Sequence, residues 1–384
     1  MRTLPAHSFI GGHGGFSSEF PVGPCYWVRF VRRRPGWQLV AGPLPCGPAG
    51  AAHVLAVFGA GVLTFLMTVR WGIAGTGRIA SDFVRDLSHI EDAEAVAVGS
   101  RTAAGAGEFA AARGIARAHG SMSALAADPE VDVVYVAGIH PVHREHAVMM
   151  LEAGKHVLVE KPLAMDAGEA DGMIAASRTA GRFLMEAMWT RFNPLHTELK
   201  RRLDSGEFGR VTHIESDFTF EVPRDPSHRL FDPAKGGGSL LDVGIYPINL
   251  AWWWLGAPGS WTTSGNIGPT GVDEAVTMDL SWPDGATAHL TCGSTRPGPR
   301  TSTVTCEKAV ITIDAPSHSS PTASITAGGQ TEKVTAAAPG LHHQVREVHR
   351  CIGAGLIESP RMPHGESLRI ARFMDDVASA IRGR

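Results

Sequence analysis

Two short motifs carry most of the chemistry that can be read from this chain: Gly75-Thr76-Gly77-Arg78-Ile79-Ala80 and Glu160-Lys161-Pro162. The first follows an apolar run, Val69 to Ala74, and precedes a helix-like stretch, which is where a dinucleotide fingerprint must sit. Glycine is needed there because the turn is tight, the backbone must approach a pyrophosphate, and the helix start offers free N–H donors and a positive dipole end. In such sites an acidic residue about 20 positions further on holds the ribose 2′-hydroxyl. Here the second strand ends Val98-Gly99-Ser100-Arg101, with no carboxylate. A hydroxyl beside a guanidinium suits a 2′-phosphate, so the expected cofactor is NADP, with NAD as the alternative. The competing reading makes Arg101 a solvated residue that only opens the following helix.

Lys161 follows an apolar strand and precedes Pro162, so it is expected at the carboxyl end of a sheet, where open α/β folds bind ligands. Its ammonium could stabilise developing alkoxide charge during hydride transfer and lower the pKa of a neighbouring phenol. A cis Lys161-Pro162 bond would fix that geometry; the plainer reading is a surface lysine. A third motif runs from Gly236-Gly237-Gly238-Ser239 through Asp242 to Tyr246 and Asn249. The spacing i, i+4, i+7 predicts that Asp242, Tyr246 and Asn249 share one face of an otherwise apolar helix, where polar groups demand partners. Asp242 closing a capping box with Ser239, and Tyr246 as a core aromatic with a satisfied hydroxyl, are equally open on spacing alone.

Positioning these groups requires alternating elements. Strands are expected at Val69–Ala74, Ala93–Ser100, Val131–Val136 and His156–Glu160, with helices at Arg78–Leu87, Ala103–Ala112, His143–Ala153 and Asp166–Ala180. This β-α-β order is a parallel sheet with helical crossovers. Beyond about Met188, period-two runs at Val211–Phe220, Ala275–Trp282, Ala286–Cys292 and Ala309–Asp314 predict a mostly antiparallel sheet, closed by an amphipathic helix, Glu366–Ile381. The expected fold class is α/β: a Rossmann dinucleotide-binding domain over 67–188, then an α+β domain over 189–384. Residues 1–66 differ in composition. Rich in Gly, Pro and Ala, with a basic Arg32-Arg33-Arg34, they read as a disordered extension, translated from upstream of a natural start at Met67, rather than as a signal or a membrane helix.

Thirty-five basic against 38 acidic residues give a net charge of −3. No broad field attracts nucleic acid or an anionic membrane, and the default partner is a small molecule. Five cysteines, with no close ligand pattern, argue against a disulfide framework and a zinc site and for a reducing, cytoplasmic compartment.

The fingerprint, the segment Ala153-Gly154-Lys155-His156-Val157-Leu158-Val159-Glu160-Lys161-Pro162 and the Asp242-x-Gly-x-Tyr246 helix together resemble the glucose–fructose oxidoreductase/inositol dehydrogenase (Gfo/Idh/MocA) family, over Met67 to Asp314 closely and the remainder loosely. Glu186-Ala187-Met188-Trp189-Thr190-Arg191-Phe192 and Arg229-Leu230-Phe231-Asp232-Pro233 resemble its dimeric dihydrodiol dehydrogenase and NADP-dependent xylose dehydrogenase branch. The resemblance implies an open-faced sheet whose outer face makes a homodimer. It implies that Tyr246 gives and takes the proton, that Lys161 tunes it, and that Asp242 orients substrate or cofactor. Cofactor contacts would come from Gly75, Thr76, Gly77, Arg78, Ile79, Ser100, Arg101, His140, Glu160 and Lys161. Substrate contacts would come from His143, Trp189, Arg191, Phe231 and Asn249. Gly138-Ile139-His140 departs from the Thr-Pro-His or Thr-Pro-Asn of relatives, which loosens the expected cofactor loop.

The expected function is reversible NADP-dependent hydride transfer at a CH–OH group of a sugar, polyol or trans-dihydrodiol. A ketoreductase of a nucleotide-linked or antibiotic sugar would use Arg224, Arg229 and Lys235 for a pyrophosphate. A non-catalytic NADP-sensing protein is the reading from another class.

Overall fold

The computed structural model describes residues 68–383, and before them only the backbone of a few paired strands such as Tyr26–Arg33 with Gly36–Pro43. The expectation of a disordered extension over 1–66 otherwise lies outside the described residues. Residues Thr68–Arg384 form one compact unit, and everything below concerns it.

Six parallel strands open the unit: β1 (Val69–Ala74), β2 (Ala93–Gly99), β3 (Arg117–His119), β4 (Val133–Val136), β5 (His156–Glu160) and β6 (Leu184–Ala187). Their order across the sheet is β6-β5-β4-β1-β2-β3. The crossovers carry α1 (Arg78–Leu87), α2 (Ala103–Arg113), α3 (Met122–Ala126), α4 (His143–Glu152) and α5 (Ala167–Ala180). Helices on both faces explain why β4 and β6 are buried along their whole length and read as unbroken runs rather than alternations. The chain order reverses between β1 and β4, and the carboxyl ends of these strands open a crevice there. The fingerprint turn follows β1 and the Gly138-Ile139-His140 turn follows β4, so both reach that crevice.

Helix α6 (Pro194–Asp204) leads to a second sheet of eight strands. They are β7 (Val211–Thr219), β8 (Ser260–Ile267), β9 (Asp273–Ser281), β10 (Thr287–Gly293), β11 (Ser302–Cys306), β12 (Val310–Ile313), β13 (Thr322–Ala327) and β14 (Gln330–Thr335). In the order β8-β9-β10-β7-β11-β12-β13-β14, only the β7–β10 pair is parallel. One face is apolar, with Met278, Leu290, Val304 and Ile311 fully buried. A π-helical turn, Leu240–Gly244, leads into α7 (Ile245–Leu255), which lies on that face. A Cβ on Gly244 would stand 2.9 Å from the Cys292 Sγ, so only glycine lets the helix start sit this close to β10.

The last two helices return to the first sheet. In α8 (His342–Gly353), His349 accepts a 3.1 Å hydrogen bond from the Trp71 indole of β1. In α9 (His364–Ile381), Phe373 packs on Trp252 and Trp261, while Asp375 accepts from the Ala167 amide at the start of α5. The two sheets thereby share one continuous hydrophobic core. Strands β8 and β14 and the pair β11 and β13 are absent from the periodicity reading. β8 and β14 are exposed edge strands of mostly polar residues, and a strand with no buried face has no apolar alternation to reveal it.

Candidate active site

The turn after β1 has the form a pyrophosphate needs. Gly75 sits at φ +129°, and a Cβ there would approach the Ala137 carbonyl to 3.0 Å. A Cβ on Gly77 would meet no protein atom within 4 Å, so the space above this residue is open. Helix α1 begins at Gly77 with no side-chain cap and no acidic residue in its first turn, leaving its N–H groups and positive dipole end directed outward. Thr76 and Ile79 are half-buried beside it, Ala80 is fully buried against the sheet, and Arg78 is almost wholly exposed, with an ion pair to Asp82 at 3.8 Å. At the end of β2 the Ser100 amide donates to the His119 carbonyl, and Arg101 is exposed with no hydrogen bond or ion pair among the described residues. A side chain free of protein partners at the ribose end, and an uncapped helix start above a bare glycine, fit a dinucleotide and its 2′-phosphate.

Lys161, Asp242 and Tyr246 meet at the carboxyl end of β5. The Lys161-Pro162 bond is cis. The Lys161 Nζ donates to the Asp242 carbonyl at 2.7 Å, lies 3.6 Å from its Oδ1, and stands 5.0 Å from the centre of the Tyr246 ring. The Asp242 carboxylate accepts from both terminal Arg229 nitrogens, Nη1 at 2.8 Å and Nη2 at 3.0 Å. Burial alone would raise the Asp242 pKa; the Lys161 ammonium and the Arg229 hydrogen bonds outweigh it and hold the carboxylate well below its ordinary range. Burial would discharge Lys161, but Tyr246, Asp242 and Glu160 keep it cationic and raise its pKa. The Tyr246 phenol is pushed up by burial and pulled back by Lys161, so it is held protonated and close to a cation.

The capping alternative for Asp242 is answered by another carboxylate. Asp273 accepts from the Ser239 hydroxyl at 2.9 Å and from the Leu240 amide at 2.6 Å, which leaves Asp242 free to turn toward Lys161. The π-turn inserts here, so the expected single helical face is divided. Asp242 and Tyr246 face Lys161, while the Asn249 side-chain oxygen accepts from the Arg191 Nε at 2.7 Å.

Tyr246 belongs to an aromatic cluster. Its hydroxyl accepts from the Trp189 indole at 3.1 Å, and its ring lies 5.3 Å from Phe218 and 4.7 Å from His318. His318 stacks on Phe218 at 4.6 Å and meets Trp189 edge-on. Tyr246, Phe218 and His318, with Thr190, His196 and Pro247, border a small pocket. Burial and then the Lys161 charge push His318 down to about 3, so its ring is neutral. Sequence reasoning missed His318, which lies in a turn far along the chain and has no local pattern to mark it.

Glu160 is buried and bonded by the Tyr135 hydroxyl and the Lys161 amide; burial raises its pKa against the pull of Lys161. Its carboxylate is thus bonded within the protein at the end of β5. His140 lies 3.9 Å from Asp242 and binds the Gly236 carbonyl, inside the cluster. His143 is fully buried, its ring nitrogens facing the Pro162 and Gly138 carbonyls. It pins the cis-proline loop to α4 and presents nothing to a substrate, contrary to expectation. Arg191, 1% exposed, is spent on Asn249, the Arg361 carbonyl and Glu366. Phe231, 3% exposed, packs against His228. Arg191 and the Asn249 side-chain oxygen are thus engaged in a buried network away from the pocket lining, and Phe231 is buried beside His228. Trp189 touches two residues that border the pocket, Tyr246 and His318, and does not line the open space itself.

Residues 69–188 match the oxidoreductase family with NAD-binding Rossmann fold, and residues 196–312 match the GFO/IDH/MocA C-terminal domain. The chain belongs to the Gfo/Idh/MocA oxidoreductase family and is a dehydrogenase or reductase built on an NAD(P)-binding Rossmann fold. It is 38% identical to trans-1,2-dihydrobenzene-1,2-diol dehydrogenase of Danio rerio over 327 residues, 81% of this chain and 96% of that one. The Bos taurus enzyme of the same name is 35% identical over 82% of this chain and 97% of its own. Among solved structures, a 3-ketoreductase from Actinomadura kijaniata in complex with NADP and TDP-benzene superposes with a TM-score of 0.73 at 27% identity, covering 81% of this chain and 97% of its own. Aldose–aldose oxidoreductase from Caulobacter crescentus, complexed with glycerol, gives 0.74 at 26% identity, covering 83% and 98%. Among the described residues no helix is long and apolar enough to cross a membrane.

Proposed function

We propose that the protein is an NADP-dependent dehydrogenase that oxidises a CH–OH group of a sugar, polyol or trans-dihydrodiol, reversibly, with Tyr246 as the acid/base. The observation that carries this reading is the convergence of Lys161, Asp242 and Tyr246 on one point between the fingerprint crevice and the aromatic pocket. Bound NADP would supply the hydride acceptor, held at Gly75, Thr76, Gly77, Arg78 and Ile79, with Ser100 and Arg101 at its 2′-phosphate and His140 near its nicotinamide. Because the Tyr246 oxygen accepts from Trp189, its own hydrogen is directed elsewhere, toward the pocket, where a carbinol oxygen would lie. In oxidation the phenolate takes the hydroxyl proton, and in reduction the phenol returns it. Lys161 favours the phenolate and the alkoxide alike. Asp242 fixes the ammonium by its carbonyl and offers a carboxylate oxygen to a neighbouring hydroxyl of the substrate.

The relatives named for dihydrodiol and sugar oxidoreduction support this substrate class. The nucleotide-sugar reading has less support from the cations it would need. Arg224 is paired with Glu274, Arg229 with Asp242 and Lys235 with Asp232, so none is left over for a pyrophosphate. We further propose two domains, 67–188 and 189–384, a cytoplasmic location, and a homodimer formed by the open face of the second sheet. On that face the half-buried Thr277, Thr291, Thr303 and Thr312 stand opposite the core positions, together with the exposed Glu215 and Asp279 and with His289.

The test follows nicotinamide absorbance with NADP or NAD against aldoses, inositols and trans-dihydrodiols. Turnover that favours NADP supports the reading. Tight NADPH binding with no turnover across the panel would replace it with a sensing role.

A further inference from the structure

Arg229 is half-exposed, yet both of its terminal nitrogens are committed to Asp242, at 2.8 and 3.0 Å. Its backbone is held as firmly as its side chain. The Gly238 amide donates to the Leu230 carbonyl and the Gly237 amide to the Asp232 carbonyl, strapping the 229–232 segment onto the triple-glycine turn. A Cβ on Gly237 would come within 2.9 Å of the Arg229, Leu230 and Asp232 carbonyls. The glycines therefore let this segment lie flat, and the flat segment aims Arg229 at the carboxylate.

Asp242 has two cations beside it and treats them differently. The carboxylate is held bidentate by Arg229, while Lys161 Nζ stays 3.6 Å from the nearer oxygen and gives its short bond to the main-chain carbonyl. Charge counting shows what this does. Lys161, Asp242 and Arg229 sum to +1; without Arg229 they sum to zero, and the carboxylate is released to close on the ammonium. The other groups about Tyr246 and Asp242 do not restore the balance. Glu160, bonded to Tyr135, also acts on Lys161 and Tyr246, but it is common to every variant compared below and leaves the difference between them unchanged, and His318, His140 and His143 are held neutral by burial.

We infer that Arg229 is a positioning residue for hydride transfer: it holds the Asp242 carboxylate off Lys161, so that the ammonium acts on the Tyr246 phenol undiminished. The inference rests on the reading of Tyr246 as the acid/base. Arg229 touches neither the reacting atoms nor the phenol; it acts through Asp242.

The test is the pH dependence of oxidation by wild type, Arg229→Gln, Arg229→Lys, the double variant Arg229→Gln/Asp242→Asn, and Tyr246→Phe. Oxidation requires the phenolate, so activity rises with pH through the apparent pKa of Tyr246. Losing Arg229 raises that pKa, and the ascending limb moves to higher pH by about half to one unit, the scale of one nearby charge in a part-buried site. Arg229→Lys keeps the limb near its wild-type position. Removing the carboxylate as well returns the sum to +1, so the double variant brings the limb back toward wild type even though its maximal rate stays low. A purely structural role would not produce that return. A limb unmoved in Arg229→Gln, or moved and not restored in the double variant, overturns the inference.

A second readout needs no turnover. The chain has three tyrosines, so the ring-carbon NMR signal of Tyr246 is assigned by its loss in Tyr246→Phe, and its titration should move as the kinetic limb does. Tyr246→Phe separates the two claims. If it keeps the wild-type rate, the acid/base reading fails; if it is inactive while Arg229→Gln leaves both readouts unmoved, only the role of Arg229 fails.

Discussion

The Trp189 indole N–H donates to the Tyr246 hydroxyl at 3.1 Å, so the phenolic oxygen already accepts one hydrogen bond from within the protein. A donor that occupies one side of the oxygen leaves the O–H free to aim into the pocket, and it stabilises the phenolate when that forms. Trp189→Phe keeps most of the aromatic packing against His318 and removes the donor. It should lower turnover by roughly 3- to 30-fold and move the ascending limb of oxidation to higher pH, since the phenolate loses support. Steady-state rates across pH check this, and an unmoved limb would remove the indole from the account.

The two fingerprint glycines should separate in experiment. A side chain at Gly77 meets no protein atom within 4 Å, so Gly77→Val should fold with a melting temperature near wild type and bind NADPH at least ~10-fold more weakly. Gly75 at φ +129° faces the Ala137 carbonyl, so Gly75→Ala should cost about 1–3 kcal/mol of stability before any ligand is added. Calorimetry with and without NADPH reads both; equal loss of stability in the two variants would contradict the cradle described for Gly77.

Arg191 stands in a buried network with Glu366, Asn249 and the Arg361 carbonyl, away from the pocket. Arg191→Ala should lose about 3 kcal/mol or more by leaving the Glu366 carboxylate without its partner. In the fraction that folds, KM for substrate should stay within about 3-fold of wild type, as expected where no substrate contact is lost. Denaturant unfolding and kinetics together decide it, and a large KM effect with unchanged stability would return Arg191 to the pocket wall.

How much of this was legible in the sequence differs by element. The parallel sheet announced itself because β1, β4 and β5 are buried on both faces and cannot contain charge without partners, so Val133–Val136 and His156–Glu160 read as strands from composition alone. Lys161 could be placed at the carboxyl end of β5 for the same reason. The second sheet was half legible: β9 and β10 alternate cleanly, whereas β8 and β14 are polar edges. The spacing of Asp242, Tyr246 and Asn249 misled in part because an extra residue in the π-turn shifts the helical phase. His318 and the Arg229 bond to Asp242 are tertiary facts, set by where loops land on the glycine turn and the sheet, and no local period encodes them.

Stability should fall in acid, in two stages. Burial pushes His143 and His196 down to about 4, against about 6.5 in an unfolded chain. Below pH 6.5 the unfolded chain takes protons that the folded one refuses, so stability is full above that pH and declines as pH falls toward 4. Asp128 adds a lower window: burial would raise it, but the hydrogen bonds from Arg117 and His119 hold it at about 2, so its contribution is present above about pH 4 and lost beneath. Melting temperature against pH should be level near neutrality and descend from about 6.5. A melting temperature constant down to pH 4.5 would show that these histidines are not held neutral in the folded state.

The central claim is that Tyr246 moves the proton while NADP moves the hydride. Its most direct test is Tyr246→Phe, measured for NADPH affinity and for turnover on whichever diol, polyol or aldose the wild type oxidises. The expected result is unchanged NADPH binding with turnover lower by at least ~10²-fold. Turnover at the wild-type rate would contradict the account, because the phenol would then have no part in the chemistry.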